Sequence, residues 1–238
     1  MKMTKTLPLM LSAALLATTT QASSSTPTPW VMQGTVRTAA GQPVPGVPVG
    51  ADNGYFDGSE LWTVTDAQGH YRLDLKGTLG SWQAVARIKR TYHGRAIDMT
   101  LEPDNNAAFG GKDGAVRNFT WRLSGRTPDG GLYGASFYAI NGFERDGEIV
   151  DFGDLEVTLT PEGPLLDGSK GQPIRVKYTA PLRDVPLGQY QVTARSLSGK
   201  GPVWVRASGG EYAPSAVVNL VYQAGTGEVL SVDVIHPR

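Results

Sequence analysis

The chain has 238 residues, with 22 basic and 22 acidic side chains and no formal net charge. Such balance leaves no general field to draw in nucleic acid or an anionic membrane. The absence of cysteine excludes disulfides, thiolate catalysis, cysteine-based zinc sites and a lipidated cysteine, while 30 glycines, 16 prolines and only 18% charged residues suit a turn-rich β protein.

The first residues have the pattern of an export signal. Lys2 and Lys5 make a positive start, and residues 7–17 form an apolar stretch broken by Pro8 and Ser12. Thr20-Gln21-Ala22 supplies a small-residue cleavage site, so residues 1–22 are expected to be removed. The stretch falls short of the ~20 apolar residues that span a bilayer, and no later segment is a transmembrane candidate. A cysteine-free exported chain of this size points to a bacterial source, since secreted eukaryotic domains often carry disulfides. The expected location is outside the cytoplasm: periplasmic, cell-surface or secreted. Residues 23–29, rich in Ser, Thr and Pro, read as a disordered spacer.

Period-two alternation then recurs, broken by Gly and Pro every eight to twelve residues, as in sandwiches. Residues 31–49 read as a strand, a tight Gly/Pro turn and a second strand. Residues 65–75 read as a turn feeding a strand with Tyr71, Leu73 and Leu75 on one face and His70, Arg72 and Asp74 on the other. Trp82, Ala84, Ala86 and Ile88 alternate with Gln83, Arg87 and Lys89. Ile97, Met99 and Leu101 share a face, as do Phe119, Trp121 and Leu123. No segment sustains a helical period.

These motifs resemble the carboxypeptidase regulatory-like domain, a small prealbumin-like β-sandwich. The resemblance covers roughly residues 30–123. It is carried by Gly34, Val36, Gly41, Pro43, Val44, Pro45, Gly46 and Val49, then by Thr65, Asp66, Gly69, Tyr71 and Leu73. It implies a passive module on an exported protein, with no catalytic residues to transfer. One departure is Pro48, which cannot donate to a ladder and implies an edge strand or a bulge.

The turn formers of 124–131 mark a boundary. Beyond it Leu155, Val157 and Leu159 alternate, as do Ile174, Val176 and Tyr178, and Tyr190, Val192 and Ala194. Residues 203–207, 216–222 and 229–235 add strands. The expected class is all-β, with two tandem sandwiches: a carboxypeptidase regulatory-like unit at 30–124, a linker at 125–131, and a second unit at 132–238. The second is expected to be immunoglobulin-like or similar.

Chemistry is sparse. His70, His93 and His236 lack metal-ligand spacing. No nucleophile elbow or phosphate loop is present. The expectation is therefore a non-enzyme without cofactor. Three stretches can hold a ligand. Tyr55, Phe56 and Trp62 lie among oxygen donors at 52–62, and could stack on a sugar or merely cover the sandwich edge; Tyr92 and Trp204 are further rings that could join such a stack. Arg87, Lys89 and Arg90 form a basic strand and tip. The acids Glu144, Asp146, Glu148, Asp151 and Asp154 are dense enough for a weak Ca²⁺ site or a docking face, or else form a solvated hairpin. The function expected is binding or scaffolding of another macromolecule, an envelope protein or a glycan, with a carbohydrate-binding module as the alternative. An accessory enzyme with an unrecognised site is the third class.

Overall fold

The computed structural model describes residues 26–55, 58–77, 79–221 and 230–238. The expected signal segment, Phe56 and the start of the spacer lie outside the described residues. Among those described, the regular structure is almost entirely strand, with single 3-10 turns at Glu144–Asp146 and Phe152–Asp154. No helix among them is long and apolar enough to cross a membrane.

The first sandwich contains β1 (Val31–Thr38), β2 (Pro48–Asn53), β3 (Leu61–Val64), β4 (His70–Asp74), β5 (Ser81–Tyr92), β6 (Arg95–Leu101), β7 (Phe109–Gly110), β8 (Ala115–Val116) and β9 (Phe119–Trp121). One sheet runs β4-β1-β8, with β9 also on β1; the other runs β3-β2-β5-β6, with β7 on β5. The second sandwich contains β10 (Ala135–Asn141), β11 (Leu155–Pro161), β12 (Ile174–Lys177), β13 (Leu182–Val185), β14 (Gly188–Ser196), β15 (Trp204–Ala207), β16 (Ser215–Leu220) and β17 (Leu230–Ile235). Its sheets run β13-β10-β17-β15 and β12-β11-β14-β16. Every sheet is built from one half of the chain alone. In each half the first strand pairs in parallel with the last: β1 with β8 and β9, and β10 with β17.

Alternation explains the packing. The apolar faces of β4, β5, β9, β11 and β14 turn inward. Met32, Trp82, Ile88, Phe119 and Trp121 are almost wholly buried in the first sandwich, as are Phe137, Leu155, Leu159, Tyr190 and Leu220 in the second. Burying a large aliphatic or Phe side chain contributes about 1.5–3 kcal/mol.

The motifs of the first half have local causes. A Cβ on Gly34 would lie 1.8 Å from the Arg117 carbonyl oxygen, so β1 accepts no side chain there. Asp66 closes its turn by accepting the backbone N–H groups of Gln68 and His70 at 2.9 and 2.8 Å. The Thr65 hydroxyl donates to the Val44 carbonyl at 2.7 Å and accepts the Val47 N–H at 2.9 Å, fastening the Pro-rich turn to the next strand. Pro48 corrects an expectation. Its strand is not at an edge, because β2 lies between β3 and β5. Pro48 is instead the first residue of β2 and pairs with Val64, while the ladder to β5 begins at Val49. A proline is tolerated at a strand's first position.

The two sandwiches meet at a built joint. Residues 125–131 are no loose tether. They form a tight hairpin in which Arg126 bridges Leu132 and the Thr127 N–H donates to the Gly131 carbonyl at 3.1 Å. Asp184, held at φ 60°, accepts the N–H of Gly125 at 2.8 Å and that of Gly134 at 3.0 Å. The Leu187 N–H donates to the Leu123 carbonyl at 3.1 Å. Tyr92, at the tip of β5, reaches into the second half. Its hydroxyl accepts the Gln189 N–H at 2.9 Å and donates to the Pro164 carbonyl at 3.0 Å.

Candidate functional site

The sequence candidates of the first half converge in part, on the outer face of β3-β2-β5-β6. Successive strand residues point to opposite faces. Trp62 and Val64 on β3, Gly50 and Asp52 on β2, and Gln83, Val85, Arg87 and Lys89 on β5 therefore share this face. Trp62 pairs with Gly50, which pairs on its other side with Val85. A Cβ at Gly50 would lie 2.8 to 2.9 Å from three consecutive indole atoms, Cε3, Cδ2 and Cζ3. Near-equal distances to three neighbouring ring atoms mean that the six-membered ring lies face down on Gly50. Trp62 keeps 42% of its surface exposed and Val64 keeps 61%. The Arg87 guanidinium carbon is 5.8 Å from the indole centroid, within cation–π range.

The other candidates separate. Lys89 shares the face but lies 3.9 Å from Asp98. Arg90 is on the opposite side of β5, with its guanidinium carbon 4.7 Å from the centroid of the buried Trp121. The three basic residues are thus not one patch, because strand alternation splits them. Tyr55 is 71% exposed in the loop after β2, where its N–H bonds Asn53 Oδ1 at 3.0 Å. Tyr92 is engaged in the joint, and Trp204 is half-buried. Trp62 belongs to strand β3, not to the loop that precedes it.

The acidic stretch disperses. Among the described residues no group of three or more Asp, Glu or His side chains is placed to hold a metal ion. Asp146 faces Arg206 and Arg145, each at 3.9 Å. The Glu148 backbone bridges His236. Asp151 caps the 3-10 turn by accepting the Gly153 N–H at 2.8 Å. Asp154 accepts both Ser196 and Ser198 hydroxyls, at 2.5 and 2.7 Å, which hold its carboxyl below the usual range. Glu156 is lowered by its hydrogen bond from Arg195 at 2.7 Å and by the charges of Arg195 and Arg175. The segment turns through two 3-10 helices and a strand start, so successive acids find separate partners. Glu144 has no described side chain.

Sequence reasoning missed the roles of three residues. Gly50 seats Trp62, and its signal is a glycine inside a strand, which marks close approach. Tyr92 and Asp184 make the joint, and neither stands in a recognisable motif. A polar cavity of about 360 Å³ lies by Arg206, Ser208 and Ser231. Its guanidinium is already bound by Asp233 at 2.6 Å and stacked 4.1 Å from the Tyr212 centroid.

No family model matches the chain, and no curated protein matches it. Solved structures that resemble it include the following three. The Bacillus anthracis TIE protein is 13% identical, with a TM-score of 0.44 over 87% of this chain and 34% of its own. A streptococcal ancillary pilin is 14% identical, with a TM-score of 0.25 over 87% of this chain and 62% of its own. The shaft pilin spaA of Lactobacillus rhamnosus GG is 11% identical, with a TM-score of 0.22 over 89% of this chain and 99% of its own. The chain thus spans about a third of the TIE protein's length and under two thirds of the ancillary pilin's. Likeness at these scores carries no functional inference.

Proposed function

We propose that this chain is an exported, non-catalytic envelope or extracellular protein that scaffolds or binds another macromolecule. Its two domains meet at residues 125–131, and we read the first as a carboxypeptidase regulatory-like module. The observation that supports the reading best is the joint. Tandem domains move relative to one another by default, and directed hydrogen bonds across a boundary favour one arrangement over others. Here Tyr92 supplies two hydrogen bonds across the boundary, and Asp184 accepts one from Gly125 of the connecting hairpin. An enzyme that closes on substrate needs a free hinge. A scaffold needs a fixed distance between the things it holds, and a pinned link supplies it. The partner class is an envelope protein or a glycan.

Fractionation of the native cell tests this. The protein is expected outside the cytoplasm with its N-terminus near Ser23, crosslinked to envelope material in a single orientation. Retention of Met1 on a cytoplasmic protein overturns export. Turnover of a glycan or peptide that disappears on replacing one carboxylate overturns the non-enzyme reading.

A further inference from the structure

We propose that the outer face of β3-β2-β5-β6 is a glycan-stacking platform centred on Trp62. The proposal deepens the binding half of the reading above, and rests on it for the chain's access to envelope polymers. The first support is the seat. Gly50 withholds a side chain inside a strand, where glycine has an entropic cost, and the indole fills the space face down. The ring's other face therefore points away from the sheet, and 42% of the residue remains exposed.

The second support is the rim. Asp52 and Gln83 are register partners on the same face, and Arg87 stands 5.8 Å from the ring centroid. A flat π surface that shares its sheet face with a carboxylate, an amide and a guanidinium offers stacking, donors and acceptors on one side of the sheet. A pyranose presents the matching set: a C–H face ringed by hydroxyls. Other occupants fit less well. A nucleobase also stacks, but single-stranded nucleic acid needs a basic track for its phosphates. Here Lys89 lies 3.9 Å from Asp98, and Arg90 faces away from the patch. A lipid or apolar peptide needs a wide apolar surface, whereas Trp62 is flanked by Val64 and the half-buried Val85.

Titration of the purified protein with soluble tetramers tests the proposal, using β-1,4-linked N-acetylglucosamine and β-1,4-linked glucose. Indole N–H resonances are followed by NMR, with Trp62 assigned by its loss in Trp62→Phe. At least one tetramer is expected to shift the Trp62 resonance, with an affinity insensitive to salt. Trp62→Ala should weaken binding by about tenfold or more, and Trp62→Tyr by less, because a smaller aromatic face remains. Gly50→Ala should tilt the ring and weaken binding while Trp62 is still present. Trp62→Tyr reports independently should Gly50→Ala fail to fold. Absence of a Trp62 shift with both tetramers at millimolar concentration overturns the platform. So does unchanged affinity in Trp62→Ala, or binding of an oligonucleotide in place of sugar. If the platform fails while the protein still crosslinks in the envelope, the scaffold reading stands alone. If export fails while the tetramers bind, the platform stands alone.

Discussion

Tyr92→Phe isolates the joint with the loss of one oxygen atom. That oxygen accepts the Gln189 N–H at 2.9 Å and donates to the Pro164 carbonyl at 3.0 Å. Phenylalanine keeps the ring and leaves both backbone groups without their partner. A typical hydrogen bond contributes a net ~1 kcal/mol, and a buried group left unsatisfied costs ~1–3 kcal/mol. Tyr92 is half-buried, so water reaches part of the site and the cost falls towards the lower bound. The expected destabilisation is about 1–2 kcal/mol. For a cooperative unit of this size, that lowers Tm by about 3–6 °C. Calorimetry adds a sharper reading. The intact protein should melt in one transition, and the variant should broaden or split as the halves uncouple. Tyr55→Phe is the control, because Tyr55 is largely exposed and far from the joint in sequence. A loss below about 0.3 kcal/mol, or one equal to that of the control, would show that water replaces the phenol and that the joint is not specified by Tyr92.

Replacing Asp184 should rank by backbone and carboxylate together. Asn tolerates the φ of 60° and keeps an acceptor, Gly keeps only the conformation, and Ala loses both, at about 2–3 kcal/mol by urea unfolding. Equal stability of the Asn and Ala variants would refute this. Gly34→Ala and Gly41→Ala should differ sharply in chemical denaturation. The first drives a Cβ to 1.8 Å from the Arg117 carbonyl and should prevent folding or cost more than about 3 kcal/mol. The second meets open space at φ +80° and should cost only about 1 kcal/mol. Burial raises the hydroxyl pKa of Tyr71 and Tyr92, and pushes that of Tyr190 up to about 12. Above the unfolded tyrosine value of 10.0 the native state therefore holds more protons than the unfolded one, and stability falls as pH rises. Melting temperatures from about pH 9 to about pH 12 should decline beyond pH ~10, and a flat profile would refute the assignment.

The strands most plainly legible in the sequence are those whose alternating faces carry large apolar residues, such as β4, β5, β6, β9, β11, β12 and β14, and β1, β2, β15, β16 and β17 are legible as well. β10 escaped because two of its three buried positions are Ala135 and Ala139, which leave a weak pattern around Phe137. β7 and β8 span two residues each, too short for any period. Pro48 misled because a chemical rule about ladders says nothing of which end of a strand a residue occupies. At the candidate site, Trp62 and Arg87 were visible as residue types, but their meeting depends on the register of three strands. The acids of 144–156 are close in sequence but do not converge in space. Arginines and serines far along the chain claim Asp146, Asp154 and Glu156 separately, while Asp151 turns to the nearby Gly153 N–H.

The parallel pairing of first and last strands has a mechanical consequence. In each sandwich the chain enters along one strand and leaves along its neighbour in the same direction. A pull on the two termini therefore slides these strands lengthwise past one another. The hydrogen bonds between Phe137–Asn141 and Leu230–Val234 are strained together and cannot be peeled apart one by one. Antiparallel terminal strands pulled from the same end would unzip. Two such parallel clamps in series resist a pull applied along the chain.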